Sequence, residues 1–109
     1  MKADYTPLLT DSMGAARLHI HRTTLTGDET RSKYVHSHGA EEVMYLLEGS
    51  GEFVIDGRTF TAGAGEIVFF PAGSTHGITR VLSGVMHYLT VRSIEPGDDP
   101  CCCEGPGHD

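Results

Sequence analysis

Four side chains carry the most chemical potential in this 109-residue chain: His36, His38, Glu42 and His76. His36 and His38 flank a single serine, and side chains two apart in a strand point to one face. Glu42 follows four residues later across a short segment with Gly39, so its carboxylate can swing back toward the two imidazoles. His76 opens a later strand after the turn Pro71-Ala72-Gly73. Three imidazoles and one carboxylate suit one divalent transition metal ion: zinc, iron, manganese, nickel, cobalt or copper. The competing reading is a set of solvated loop residues.

Around this set stand residues of less certain role. Arg80 shares strand parity with His76 and Ile78, so without a bulge its guanidinium faces the same side, where a planar fork would grip a substrate carboxylate or phosphate. Tyr34 has the parity of His36 and His38 and is a candidate proton donor, with a packed aromatic as the alternative. His87 alternates with Val85, Leu89 and Val91, an apolar series that could line an interior; it is a candidate general base or a core histidine. Together Tyr34, Arg80 and His87 are the candidate catalytic residues. A second HxH, His19-Ile20-His21, has no carboxylate at suitable spacing and is expected on an exposed or dimer-facing strand surface. Cys101, Cys102 and Cys103, with His108 beyond, could meet a soft metal, but consecutive residues cannot all turn toward one ion, and they form no even disulfide framework.

The elements that must position these groups are short strands. Turn signals recur along the chain, at Gly49-Ser50-Gly51, Asp56-Gly57, Pro71 and Ser83-Gly84. Asp56-Gly57 suits a type I′ hairpin, in which both central residues take positive φ. Between the turns lie strand candidates 15–25, 31–36, 43–47, 52–55, 58–61, 66–70, 76–82 and 85–93. Glu41 to Glu48 has helix-favouring residues but is boxed between Gly39 and Gly49. The pattern predicts an all-β sandwich or barrel, with 1–14 as an N-terminal arm, 15–93 as the barrel and 94–109 as a tail rich in Gly, Pro and Cys.

Composition narrows the partners. Fifteen acidic against eight basic residues give a formal charge of −7, which argues against nucleic acid and anionic membranes. Five of those acids lie in the tail without a base, so the part before residue 95 stands near neutrality at −2. No apolar run approaches the roughly 18 residues of a membrane span. The opening MKADYTPLLT lacks a basic-then-apolar leader, and a cytoplasmic location is expected.

The segment HSHGAEEVMYLLEG (36–49) resembles the first motif of the cupin superfamily: HxH, three residues, Glu42, six residues, Gly49. GEIVFFPAGSTH (65–76) resembles the second: Gly65, five residues, Pro71-x-Gly73, two residues, His76. Two departures stand out: Thr30 where a glycine is expected, and Arg80 where an asparagine is common. The resemblance implies a small single-domain jelly-roll β-barrel with one metal near its mouth, held by His36, His38, Glu42 and His76. It also implies a small-molecule substrate and a homodimer paired through the strand Ala15 to Leu25. The leading functional expectation is Lewis-acid chemistry of isomerase or lyase type on a sugar or a small oxo or hydroxy acid. The alternatives are an iron-dependent dioxygenase and a non-catalytic ligand- or metal-binding module.

Overall fold

The computed structural model describes residues 2–27, 36–37 and 40–93. Among them are nine strands and a single 3₁₀ turn (Asp11–Met13): β1 (Lys2–Leu9), β2 (Leu18–Thr26), β3 (His36–Ser37), β4 (Glu42–Glu48), β5 (Ser50–Ile55), β6 (Arg58–Gly63), β7 (Ile67–Phe70), β8 (Thr75–Val81) and β9 (Val85–Ser93). They form a five-stranded sheet, β1-β2-β9-β4-β7, and a four-stranded sheet, β3-β8-β5-β6, with every pairing antiparallel. The core lies between them, as the alternation of buried and exposed residues along β2, β4 and β9 requires.

Leu25, Met44, Leu46, Phe53, Val68, Phe70, Ile78, Val81 and Met86 fill one part of the interior. Elsewhere the inner face is polar: His19, His21, Thr23, Glu42, His76, Thr90 and Arg92 are all buried. A chain that spends so many interior positions on polar groups sacrifices hydrophobic stabilisation, since each such group costs free energy unless it is hydrogen-bonded.

The turns match the sequence signals. Asp56 (φ 48°) and Gly57 (φ 83°) both take positive φ and close the β5–β6 hairpin. This turn also holds the start of β8, because Thr75 N–H donates to the Asp56 carboxylate (2.9 Å) and Asp56 N–H donates to the Thr75 carbonyl (2.7 Å). Gly49 has φ 82°, and a Cβ there would run into the Val85 carbonyl oxygen. Only glycine lets β4 turn into β5 so close to the β9 backbone.

The expected N-terminal arm is corrected. Lys2–Leu9 is a strand that caps the edge of the five-stranded sheet, pairing with β2 from Lys2↔Thr26 onward. In the sequence KADYTPLL the short alternating stretch is masked by Pro7, but a proline is tolerated on an edge strand, and the register shifts between Pro7 and Leu9. The strand expected at the dimer edge, Ala15 to Leu25, is therefore internal, with β2 flanked by β1 and β9. The 94–109 tail, with its cysteines and His108, lies outside the described residues.

Candidate metal centre

Glu42 and His76 reach the interior from opposite sheets. Glu42 begins β4, pairs with Arg92 of β9 on one side and Phe70 of β7 on the other, and is buried. His76 lies in β8 and is fully buried; its imidazole stacks on Phe70, with ring centroids 4.2 Å apart and planes 4° from parallel. Phe70 is thus in register with Glu42 and in ring contact with His76. His36 is the register partner of His76 in the β3–β8 pairing. His38 and Tyr34 fall outside the described residues. Among the described residues, no group of three or more His, Cys, Asp or Glu is assembled to hold a metal.

The hydrogen bonds of His76 fix its tautomer. Ser74 Oγ lies 2.6 Å from the Pro71 carbonyl oxygen, which can only accept, and 3.0 Å from His76 Nδ1. The single hydroxyl proton goes to the carbonyl, so Ser74 Oγ accepts from Nδ1–H. Nε2 is then the nitrogen with the lone pair, and it is buried in the interior. A histidine whose Nδ1–H is held by a fixed acceptor while Nε2 carries the lone pair is arranged as metal-ligating histidines are. In its chemistry His76 therefore fits a metal ligand.

Electrostatics at Glu42 point the same way. Burial pushes its carboxyl up to about 8, and the neighbouring Arg92 charge opposes that rise without cancelling it. A carboxylate in such a place is costly unless a cation compensates it, and a divalent ion would do so directly.

Two expected positions are corrected. Arg80 is exposed. Phe53 pairs with Ile78 but Glu52 pairs with Arg80, so Thr79 is an extra residue in β8 and reverses the parity beyond it. The Thr79 hydroxyl donates to the Glu52 carboxylate (2.8 Å), and Val81 takes the buried position that Arg80 would otherwise hold. His87 is half-buried on the outer phase of β9, with Val85, Leu89 and Val91. The inner phase is Met86, Tyr88, Thr90 and Arg92, selected because their partners Glu42, Met44 and Leu46 are the buried residues of β4.

The inner phase of β9 brings in a residue that the sequence reading missed. Arg92 is 1% exposed and lies between Glu42 and His19 in the sheet register. The signal for it is the β9–β4 pairing, which sets Arg92 opposite Glu42. The second HxH is corrected as well: His19 and His21 are buried, their rings 5.9 Å apart, and Tyr5 of β1 packs on His21 at 4.5 Å. Met44, Leu46 and Ile78 are buried in the interior.

Among the described residues no helix is long and apolar enough to cross a membrane. No curated protein matches the sequence. Among solved structures, the chain is similar to a predicted oxalate decarboxylase from Thermotoga maritima (24% identity, 85% of this chain and 81% of that one, TM-score 0.73). It is similar to the polyketide cyclase RemF from Streptomyces resistomycificus (29% identity, 85% and 66%, TM-score 0.69). A cupin superfamily protein from Desulfitobacterium hafniense shares the fold at 16% identity (86% and 79%, TM-score 0.72). The cupin domain family model matches residues 21–92. With both gapped motifs, two antiparallel sheets around a common core, and a family match across most of the barrel, the chain belongs to the cupin family.

Proposed function

We propose that this protein is a mononuclear metal-dependent enzyme that performs isomerase- or lyase-type chemistry on a small oxygenated substrate, with His36, His38, Glu42 and His76 as the ligands. The observation that carries this reading is the Pro71–Ser74–His76 relay, which commits the His76 Nε2 lone pair to the interior. A bound divalent ion would supply Lewis acidity toward a substrate carbonyl or hydroxyl oxygen. The protein supplies the surroundings: Phe70 holds the His76 ring plane, and the interior also contains buried apolar side chains such as Met44 and Ile78. Arg92, held against Glu42, offers a fixed positive charge. The similarity to the polyketide cyclase RemF is compatible with this reading.

The test is solvent exchange. Protein loaded in turn with zinc, manganese, nickel, cobalt and iron is incubated in D2O with a panel of 2-oxo and 2-hydroxy acids and followed by proton NMR. Deuterium incorporation or carbon–carbon cleavage with at least one metal supports the reading, and its absence across the panel sinks it. Oxygen uptake by the iron form alone would move the assignment to a dioxygenase.

The assembly we propose is a homodimer that pairs through the outer face of the five-stranded sheet. Ile67 (64% exposed), Phe69 (46%) and Tyr45 (41%) form an apolar band there, continuous in register with Val43, Leu89 and Val91. Sedimentation should give a dimer at micromolar concentration and a monomer for Phe69→Lys; a monomeric wild type refutes the assembly.

A further inference from the structure

The polar half of the interior offers more than the metal ligands. Thr23 (1% exposed) and Thr90 (0%) belong to the inward phases of β2 and β9, and neither hydroxyl oxygen has a hydrogen-bond partner. Polar groups stand beside them across the β1–β2–β9 pairing: Thr90 beside His21, Thr23 between Tyr5 and Tyr88, and, further along β9, Arg92 beside His19. Leaving two buried hydroxyls unmet costs free energy, whereas valine would fill the same shape without that cost. The positions therefore call for a hydrogen-bonding guest, either water or a ligand.

Charge selects among ligands. With a divalent ion on Glu42, the buried carboxylate and guanidinium among the described residues and the ion would together carry two positive charges from the ion, one negative from Glu42 and one positive from Arg92, and a buried excess of positive charge favours an anion. Arg92 presents a planar fork of donors that fits a carboxylate. Threonine hydroxyls both donate and accept, so they suit hydroxyl or keto oxygens.

We infer that the β2–β9 wall, comprising His19, His21, Thr23, Thr90 and Arg92, is the substrate subsite, and that it selects a small hydroxy or oxo carboxylic acid over a neutral sugar. The carboxylate sits at Arg92, and the remaining oxygens run along the wall to Thr90 and Thr23. This inference rests on the metal reading above and narrows its substrate class.

Three small probes separate the contributions: glycerate carries a carboxylate and two hydroxyls, propionate lacks the hydroxyls, and glycerol lacks the carboxylate. Binding to metal-loaded protein is measured by calorimetry, with metal content determined on the same sample. Wild type should bind glycerate at least tenfold more tightly than either other probe. Thr90→Val and Thr23→Val should each weaken glycerate about 5- to 20-fold and leave propionate unchanged. Metal-free, both variants should melt at or above the wild-type temperature, because they lose an unmet buried hydroxyl. Arg92→Gln should erase the preference for glycerate over glycerol, and the threonine variants carry the test if that protein does not fold.

Equal glycerate affinity in wild type and both threonine variants overturns the inference, as does glycerol binding as tightly as glycerate, or no glycerate binding by fully metal-loaded protein. A protein that takes up no metal sinks the metal reading and this inference with it.

Discussion

Replacing Ser74 by alanine removes one oxygen, and that oxygen decides which nitrogen of His76 carries the lone pair. In the wild type the relay runs from Nδ1–H to Ser74 Oγ (3.0 Å) and on to the Pro71 carbonyl (2.6 Å). Ser74→Ala leaves a fully buried N–H without its acceptor, at a cost of about 1–3 kcal/mol. The penalty is felt most where Nε2 is required as a ligand, since the imidazole is then locked into the tautomer that lacks its partner. Loss of such an outer-shell contact weakens metal binding about 10- to 100-fold, which corresponds to about 1.4–2.7 kcal/mol and agrees with the hydrogen-bond figure. The assay is competitive calorimetric titration with zinc, alongside urea denaturation of the metal-free proteins to separate folding from binding. Ser74→Thr, which keeps the hydroxyl, should recover most of the affinity. If Ser74→Ala binds zinc as tightly as wild type while the metal-free fold loses stability, the relay serves the fold alone and the argument from the tautomer fails.

In the metal-free protein Glu42 titrates near 8 against 4.5 for an unperturbed carboxyl, chiefly through burial. Its raised folded value means that stability is fullest below about pH 4.5 and falls as pH climbs to about 8, by up to roughly 5 kcal/mol; the stability difference between wild type and Glu42→Gln, from urea melts across that range, should fall accordingly, and a flat difference refutes it. Metal affinity should rise with pH over the same window, because the ion displaces the Glu42 proton. Gly49→Ala combines positive φ with a Cβ driven into the Val85 carbonyl, so it should destabilise by at least about 2 kcal/mol; a denaturation midpoint unchanged from wild type would contradict the close approach of β4 to β9. Arg80→Leu, at an exposed position beyond the bulge, should change stability by no more than about 0.5 kcal/mol and leave glycerate affinity unaltered. A large loss of glycerate affinity in that variant would return Arg80 to the site.

The sequence and the fold agree where local rules are sufficient. Asp56-Gly57 announces its turn because few residue pairs tolerate two positive φ values in succession, and Val85 to Ser93 is bounded by a turn on one side and the change to tail composition on the other. The site was legible in part: the spacing of Glu42 and His76 picks out two residues that the sheets carry into one interior. What escaped was phase. In VMHYLTVR both alternating series contain apolar residues, so His87 and Arg92 exchange faces according to how β9 pairs with β4, a long-range fact. Arg80 escaped for a related reason, since nothing local marks Thr79 as a bulge; its hydroxyl bonds Glu52, 27 residues away. His19 and His21 looked like surface residues because polar side chains in strands are usually outside, and only the polar interior of this barrel reverses that. Pro7 concealed β1, which needs the β2 edge to exist.

The most direct test of the metal centre is elemental analysis of the protein as purified and after saturation with zinc, beside His76→Ala shown to be folded by circular dichroism. A metal held by His76 gives close to one transition metal per chain in wild type, lost in His76→Ala under the same conditions. Substoichiometric metal in saturated wild type, or an unchanged content in His76→Ala, contradicts it.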